Sequence, residues 1–281
     1  EERRRIQKIN ELMEKGVREL EQGQHEQARG TFAEVLSLDP DSGRAYAHIG
    51  ESFYQEDPKS ASKVEEAIYN SNKAIEKDRD LWIPHRTLGQ IYQDRQNWDN
   101  AIVEYKEAAR LRPDDYYLLY TLGLVQYRAG RYSDARQSFE SSIHLKDDFY
   151  PAHYRLGRTF NQLGDDRRAL ASLQTAARLQ PEADAVHYYI GETQRDLRNP
   201  TAAVEAYKQA VRYKPGQAAY HRRLGVTQLE LKRYPDAERS LSEAVRLDPG
   251  SAATQFNLSQ ALVAQGKYDA AWAPEIGRAH V

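Results

Sequence analysis

Two columns of small residues recur through this chain at a spacing of 34 residues, and they constrain its fold more than any other feature. The first column is Gly16, Gly50, Gly89, Gly123, Gly157, Gly191 and Gly225, continued by Ser259. The second column is Ala28, Ala67, Ala101, Ala135, Ala169, Ala203, Ala237 and Ala271. Each column has one longer step of 39 residues, in the same repeat. Small residues suit places where two helices approach closely, so the chain is expected to repeat one structural unit.

The period from Tyr116 to Phe149 shows what that unit is. Leu119 and Leu122 precede Gly130, and Ala135 and Phe139 follow it. Apolar spacings of three and four are typical of amphipathic helices. Glycine between two such segments indicates a turn, so each period predicts two helices joined at a turn.

This pattern resembles the tetratricopeptide repeat (TPR), a helix-turn-helix unit of 34 residues. The resemblance covers Ile9 to about Ala273 and implies a bacterial TPR protein. The fold it implies is all-α, a right-handed α-solenoid of helix-turn-helix units. Because each unit of such an array packs only against its neighbours, we expect one elongated domain.

The repeat register divides the chain into seven full units and a partial eighth. Residues 1–8 form a charged extension of the first helix, and residues 9–274 form the solenoid. The repeats are 9–42, 43–81, 82–115, 116–149, 150–183, 184–217, 218–251 and the partial 252–274. Repeat two holds five extra residues in 56–64, EDPKSASKV, which predict an enlarged loop between its helices. That loop is either a tolerated insertion or a partner-binding loop.

The residues at the two ends of the chain lead to separate expectations about how this sequence arose. The first residue is Glu rather than Met, which is consistent with a processed chain, a trimmed fragment or a removed signal peptide. Residues 275–281, EIGRAHV, resemble the translation of a sequencing adapter and are expected to be a non-native tail. On that interpretation the source is environmental sequence data and the natural gene continues beyond Pro274. The alternative is a genuine tail.

Composition excludes several classes of protein and site. Zero cysteines exclude disulfides and cysteine-based zinc sites. A net charge of −2 argues against nucleic-acid binding, which usually needs a strongly basic domain. No apolar run is long enough for a transmembrane segment, so we expect a soluble protein of the bacterial cytoplasm, or of the periplasm or cell envelope, with the compartment unknown.

No catalytic motif is found, and we expect no enzyme activity, cofactor or metal. Asp114, Asp115, Asp148 and Asp165 precede helical segments and are expected to be helix caps. His85, His153, His187 and His221 share the fourth position of their repeats. Neighbouring helices lie about 8–10 Å apart, whereas zinc binds nitrogen at about 2.0 Å. These histidines are therefore expected to pack between repeats rather than to bind metal.

In TPR proteins the first helices line a concave groove, and their positions 2, 5, 6, 9, 12 and 13 commonly face the ligand. Mapped here, these positions imply a groove rich in tyrosine and arginine, two residue types that often dominate binding energy. Its predicted binding residues are Arg86, Tyr117, Tyr120, Tyr127, Arg128, Tyr154, Arg155, Arg158, Tyr188, Tyr189, Arg195, Arg222 and Arg223, accompanied by Asn161, Glu192, Asp196 and Glu230. The alternative is that several tyrosines only cover the inner helix surface.

Two known groove chemistries of the family are missing from this sequence. The clamp that binds the acidic C-terminus of chaperones needs asparagine at position 9, where the chain has no asparagine, and lysine at position 5, where no matching lysine occurs. An asparagine ladder at position 6, as in sugar-transferase members, is reduced to Asn257. Both functions are therefore disfavoured.

Three functional hypotheses remain open. The first is a noncatalytic scaffold that binds a protein or an extended peptide, such as an acidic segment, or an anionic polymer such as a glycan, in the Tyr/Arg groove. The second is a structural protein that assembles head to tail into a filament. Its end contact would use Leu258, Leu262, Val263, Tyr268 and Trp272 of the partial eighth repeat. The third is the recognition arm of a longer enzyme.

Overall fold

The computed structural model describes residues 1–271, and all regular structure in that range is α-helix. The chain groups into two compact units that divide between Asp147 and Asp148. The helices of unit 1 are α1 (Glu2–Glu21), α2 (His25–Leu38), α3 (Gly43–Glu56), α4 (Ala61–Lys77), α5 (Trp82–Asp94), α6 (Trp98–Leu111), α7 (Tyr116–Arg128) and α8 (Tyr132–Leu145).

Unit 2 continues the same alternation of helices. Its helices are α9 (Tyr150–Gln162), α10 (Asp166–Leu179), α11 (Asp184–Asp196), α12 (Pro200–Tyr213), α13 (Ala218–Glu230), α14 (Tyr234–Leu247) and α15 (Ala252–Val263). Odd-numbered helices are the first helices of the repeats, and even-numbered helices are the second. Within each unit, each helix packs against the next one in the chain. Each unit is an all-α solenoid, as the repeat pattern predicts.

The glycine column lies where the two helices of one repeat meet. A Cβ atom added to Gly123 would lie 2.7 Å from Cε1 of Phe139, on the second helix of the same repeat. Phe139 itself is fully buried. The alanine column is buried too, with Ala28 and Ala135 among its fully inaccessible members. These contacts explain why only small side chains occupy the two columns, since a larger one would overlap the facing helix.

The turns within repeats follow the sequence prediction. Gly130 adopts a φ of 75°, a left-handed conformation that glycine reaches without steric cost.

Two of the predicted helix caps are confirmed. Asp115 caps α7, because its side chain accepts hydrogen bonds from the backbone amides of Tyr117 and Leu118. Asp165 caps α10 in the same way. Asp148 does not: the N-cap of α9 is Phe149, without a side-chain cap, so that prediction is wrong.

The five extra residues of repeat two lengthen helices more than they enlarge a loop. Helix α3 has 14 residues where α5 has 13, and α4 has 17 where α6 has 14. The turn spans residues 57–60, one residue more than the turn at 95–97. The prediction of an enlarged loop is therefore wrong. Pro58 and Ser60 precede the N-terminus of α4, where both residue types are common, and the remaining residues continue the helix.

Candidate functional site

The first helices of unit 2 meet through tyrosine and arginine side chains. The guanidinium of Arg158 on α9 lies 4.4 Å from the ring centre of Tyr189 on α11. The Tyr154 ring lies 5.8 Å from the same Tyr189 ring, and Asn161 exchanges hydrogen bonds with Thr193. A cation over an aromatic face is attracted by the electron density of the ring. We call the surface formed by the predicted residues of α9, α11 and α13 the tyrosine–arginine face.

Helices α11 and α13 are joined by stacking and by ion pairs. Tyr188 stacks on Tyr220, with ring centres 5.0 Å apart and planes inclined by 26°. Arg223 lies 3.1 Å from a carboxylate oxygen of Glu192. Further along, Arg195 forms a pair with Glu230 at 2.5 Å. Two of the predicted arginines are therefore engaged within the protein itself.

Tyrosine hydroxyls complete this network. Tyr207 on α12 is fully buried and donates a hydrogen bond to Glu192. Tyr220 donates to Oδ2 of Asp184 at 2.6 Å. Burial, together with these carboxylate acceptors, raises the pKa of both tyrosine hydroxyls well above its usual range. Both groups therefore remain hydroxyl donors. They bind the carboxylate of Glu192, which pairs with Arg223, and the carboxylate of Asp184 in the first turn of α11.

Arg155 and Arg222 differ from the paired arginines. Both are half-buried on first helices, at the sixth and fifth positions of their repeats. Within residues 1–271 neither has a carboxylate at ion-pair distance. The guanidinium of Arg155 lies 5.6 Å from the ring centre of Tyr154. The charge that the tyrosine–arginine face can offer to a ligand is therefore smaller than its five predicted arginines suggest, because Arg195 and Arg223 are paired with carboxylates.

In unit 1 the predicted residue Arg86 belongs to a buried charge network. Arg86 on α5 binds Glu51 on α3, and its guanidinium lies 4.8 Å from the ring centre of Trp82. Oε2 of Glu51 is 3.0 Å from Nδ1 of His48, and Gln55 donates to its other oxygen. Burial alone raises the pKa of Glu51, but the His48 contact and the Arg86 charge outweigh it and hold the pKa below its usual range.

The other predicted residues of unit 1 lie on α7 and form an aromatic group. Tyr117 is 60% exposed, with its ring 5.9 Å from that of Tyr120, which in turn contacts Phe139. Tyr127 meets the edge of the Tyr132 ring at 5.2 Å. Arg128 is exposed at the last position of the helix. Four residues of the predicted groove therefore lie along one helix of unit 1.

The residues of the predicted end contact are partly buried and partly exposed in the structure. Leu258 and Leu262 are 8% and 6% exposed, because they pack with Ala237 and Leu241 of α14 in the core. These two residues therefore do not belong to an exposed end surface. Val263 and Tyr268 are 45% and 60% exposed. Trp272 lies outside the described residues.

Three side chains at the fourth position of their repeats bind the backbone. Nε2 of His187 donates to the carbonyl of Pro181, and Nε2 of His221 to that of Pro215. Gln255 makes the same bond to Pro249. These bonds satisfy carbonyls that follow the end of a helix. In residues 1–271 no group of three His, Asp or Glu side chains could hold a metal ion.

Several members of the network lie outside the predicted groove positions. Tyr207, Tyr220 and Asp184 hold the tyrosine–arginine face together but occupy other repeat positions. Distance along the chain could have identified Asp184 and Tyr220, which are 36 residues apart, but not Tyr207, which is only 15 residues from Glu192. Contacts between first helices join side chains 32 to 36 residues apart, close to one period.

A family model described as "Tetratricopeptide repeat" matches residues 13–75, 154–218, 190–252 and 227–274, which together are more than half of the chain. A second model, described as "TPR repeat", matches residues 89–130. The chain belongs to the tetratricopeptide repeat family. None of the helices within residues 1–271 has both the length and the apolar character that a membrane span needs.

Several solved structures share the fold of this TPR protein although their sequence identity to it is low. The C-terminal part of a TPR repeat-containing protein from Cytophaga hutchinsonii has a TM-score of 0.69 at 16% identity, over 88% of this chain and 99% of its own. YrrB, described as a TPR protein with an unusual peptide-binding site, has a TM-score of 0.57 at 21% identity, over 70% and 97%. MamA from Desulfovibrio magneticus RS-1 has 0.56 at 23% identity, over 60% and 95%. No curated protein matched the chain.

Proposed function

We propose that this TPR protein is a noncatalytic interaction scaffold, and that the tyrosine–arginine face of unit 2 binds an extended acidic peptide or another anionic polymer. TPR repeat proteins are generally noncatalytic scaffolds, and the fold suggests a protein partner. The observation that carries the proposal is the difference among the arginines of this face. Arg195 and Arg223 are neutralised by Glu230 and Glu192, whereas Arg155 and Arg222 have no carboxylate at ion-pair distance in residues 1–271.

The tyrosines around these arginines support a peptide-like ligand. Tyr154, Tyr188 and Tyr189 are half-buried and restrained by ring contacts, so little side-chain entropy is lost when a ligand covers them. Tyrosine combines a large apolar contact area with a hydroxyl that can hydrogen-bond to a ligand backbone. YrrB, one of the similar structures, is described as having a peptide-binding site. An elongated ligand with spaced negative charges would satisfy both residue types.

The test is the double variant Arg155→Ala with Arg222→Ala in the full chain. Probes are a fluorescein-labelled polyglutamate peptide and labelled heparin, followed by fluorescence polarisation at several salt concentrations. We expect affinity to fall about tenfold, or about 1.4 kcal/mol. The salt dependence should also become shallower, because charge contacts are screened by salt.

The matched control is Arg178→Ala with Arg212→Ala. Both residues are exposed on the second helices α10 and α12, and the pair removes the same charge. The control should retain the affinity of the original chain. If both double variants lose affinity equally, net charge rather than this face controls binding. Equal affinity of Arg155→Ala/Arg222→Ala and the original chain would place the site elsewhere.

Head-to-tail assembly is a second candidate, supported by exposed apolar side chains near α15. Phe256 and Val263 lie seven residues apart on that helix and are 59% and 45% exposed, and Tyr268 is 60% exposed. A contiguous exposed apolar patch often marks an interaction site. Light scattering over a concentration series, with Val263→Ser/Tyr268→Ser as comparison, tests it. A mass that stays monomeric at high concentration contradicts assembly.

A further inference from the structure

The start of the second helix differs between repeat two and other repeats. In three repeats the second helix begins with an aromatic residue three positions before the buried alanine: Trp98, Tyr132 and Tyr234. In repeat two that place belongs to Val64, three positions before Ala67. Tyr132 fills the space beside Tyr127 with its ring. Tyr54 occupies the place of Tyr127 in repeat two, but Val64 is too small to fill the space beside it.

A cavity of about 250 Å³ lies at this position in unit 1. Its lining includes Tyr54, Val64 and Ile91, and the last two are 6% and 1% exposed. Pro58 and Lys59 of the 57–60 turn also line it. The volume is below the roughly 300–1,000 Å³ of pockets that hold small molecules. The space therefore suits a single large side chain.

The turn beside the cavity is held by its own hydrogen bonds. Oδ1 of Asp57 accepts from the backbone amides of Lys59 and Ser60, at 3.0 and 3.2 Å. A side chain that binds two amides of its own turn fixes the turn locally. The cavity is therefore formed before any ligand arrives.

The charges at the cavity are unbalanced. Lys59 and Arg95 line it and are exposed, and neither makes an ion pair within the described part of the chain. Asp94 is the one carboxylate of the lining, and its Oδ2 accepts a hydrogen bond from Tyr54 at 2.6 Å. Among the lining residues there are thus two cations and one carboxylate, and the carboxylate of Asp57, which also belongs to the turn, accepts hydrogen bonds from backbone amides. Lys59 and Arg95 can therefore pair with a carboxylate of a ligand beside the apolar floor of the cavity.

We propose that this cavity binds a large apolar side chain of an extended partner peptide, with the next residue of that peptide being Asp or Glu. The apolar side chain would pack on Val64 and Ile91 beside Tyr54, as the Tyr132 ring packs beside Tyr127 in repeat four. The carboxylate would bind Lys59 and Arg95. This site lies in unit 1 and is independent of the tyrosine–arginine face of unit 2.

The experiment uses the full chain and three labelled peptides that differ at single positions. The first contains Gly-Ser-Phe-Glu-Gly-Ser, the second has Ala in place of Phe, and the third has Gln in place of Glu. Fluorescence polarisation gives affinity, and the methyl NMR signal of Ile91 gives location. The first peptide should shift the Ile91 signal and bind at least about tenfold more tightly than the alanine peptide, because burial of a phenylalanine side chain is strongly favourable.

Two variants of the chain test the two parts of the site. Val64→Trp fills the cavity and should weaken the first peptide at least about tenfold. Lys59→Ala with Arg95→Ala should weaken it about two- to fivefold, as expected for exposed ion pairs, and should abolish the advantage over the glutamine peptide. Val103→Trp, on the 63% exposed Val103 of α6, is the matched control and should bind as the original chain does.

An Ile91 signal that does not move at millimolar peptide overturns the proposal. So does equal affinity of the folded Val64→Trp variant and the original chain. Should Val64→Trp fail to fold, the Ile91 shift and the Lys59→Ala/Arg95→Ala variant decide the question, since both charged residues are exposed. The Arg155→Ala/Arg222→Ala variant should bind the first peptide normally, which separates this site from the proposed face of unit 2.

Discussion

Units 1 and 2 join their first helices by different chemistry. Between α3 and α5 the link is ionic and buried: Glu51 is 8% exposed and is bound by His48, Gln55 and Arg86. In unit 2 the corresponding links combine stacked tyrosines with more exposed ion pairs. The same type of repeat can therefore pair a first-helix arginine with a carboxylate of the neighbouring repeat or leave it without an ion pair. Arg86 is an example of the first case. Arg222, which has no ion pair in residues 1–271, is an example of the second.

The sharpest test of this contrast is loss of the central carboxylate in each unit. Glu51→Ala leaves Arg86 and His48 without their partner in a buried setting and should cost about 3 kcal/mol of unfolding free energy. Glu192→Ala should cost about half of that, because the Glu192 side chain is 23% exposed and water can replace the lost contacts. Hydrogen exchange read by mass spectrometry can measure each unit separately. Equal losses in both units would contradict the contrast.

The second test concerns what the two units share. Gly123→Leu in unit 1 forces a side chain into Phe139 and should cost about 2 kcal/mol, and Ala135→Leu should act similarly. Gly157→Leu in unit 2 should cost about the same, because a Cβ atom there would lie 2.6 Å from Cγ of Leu173. Lys59→Ala, at an exposed turn, should cost less than about 0.5 kcal/mol. Thermal melts compare them, and equal melting temperatures for Ala135→Leu and Lys59→Ala would show that the repeat register is wrong.

These columns are the part of the fold that the sequence makes predictable. Each glycine of the first column faces a residue of the second helix of its own repeat, Phe139 for Gly123 and Leu173 for Gly157, and this contact recurs with the period of the sequence. The helices and their pairing therefore follow from spacing alone. The inserted residues of repeat two do not recur in other repeats, so they produce no periodic pattern. Pro58 and Ser60 are compatible with a loop or with a helix start, and only the structure shows that α4 absorbs most of them.

The site was less predictable than the fold for a physical reason. Repeat position identifies which side chains lie on a first helix, and the structure places Arg155, Arg222 and Arg223 there. Repeat position does not identify which side chains form ion pairs with one another. Glu192 and Arg223, for example, belong to different repeats, and they pair through side-chain conformations that spacing does not determine. Likewise, the repeat pattern predicts that Leu258 and Leu262 lie at an exposed end, because their contact with α14 is not visible in the sequence.

The third prediction uses the lowered pKa of Glu51. A carboxyl whose pKa is lower in the folded state contributes stability that is complete above its unfolded pKa of about 4.3 and is lost as the pH falls through the folded value. The melting temperatures of the original chain and of Glu51→Gln should therefore differ most at neutral pH, and the difference should shrink as the pH falls below the unfolded pKa of about 4.3. Glu243→Gln, on an exposed pair of α14, is the control and should show little difference at either pH. A gap that widens on acidification would contradict the assigned direction.

The smallest expected effect separates two adjacent arginines of the tyrosine–arginine face. Arg223 binds Glu192, so Arg223→Ala should cost about 1 kcal/mol of stability, since Glu192 loses its charged partner while keeping the Tyr207 hydroxyl. Arg222 has no ion pair in residues 1–271, so Arg222→Ala should change stability by less than about 0.5 kcal/mol. Binding of the polyglutamate probe should show the opposite order, with the larger loss for Arg222→Ala. Urea titration and fluorescence polarisation on the same two variants measure both. If Arg222→Ala destabilises the protein as much as Arg223→Ala does, Arg222 serves the fold, and the surface left to a ligand is smaller than proposed.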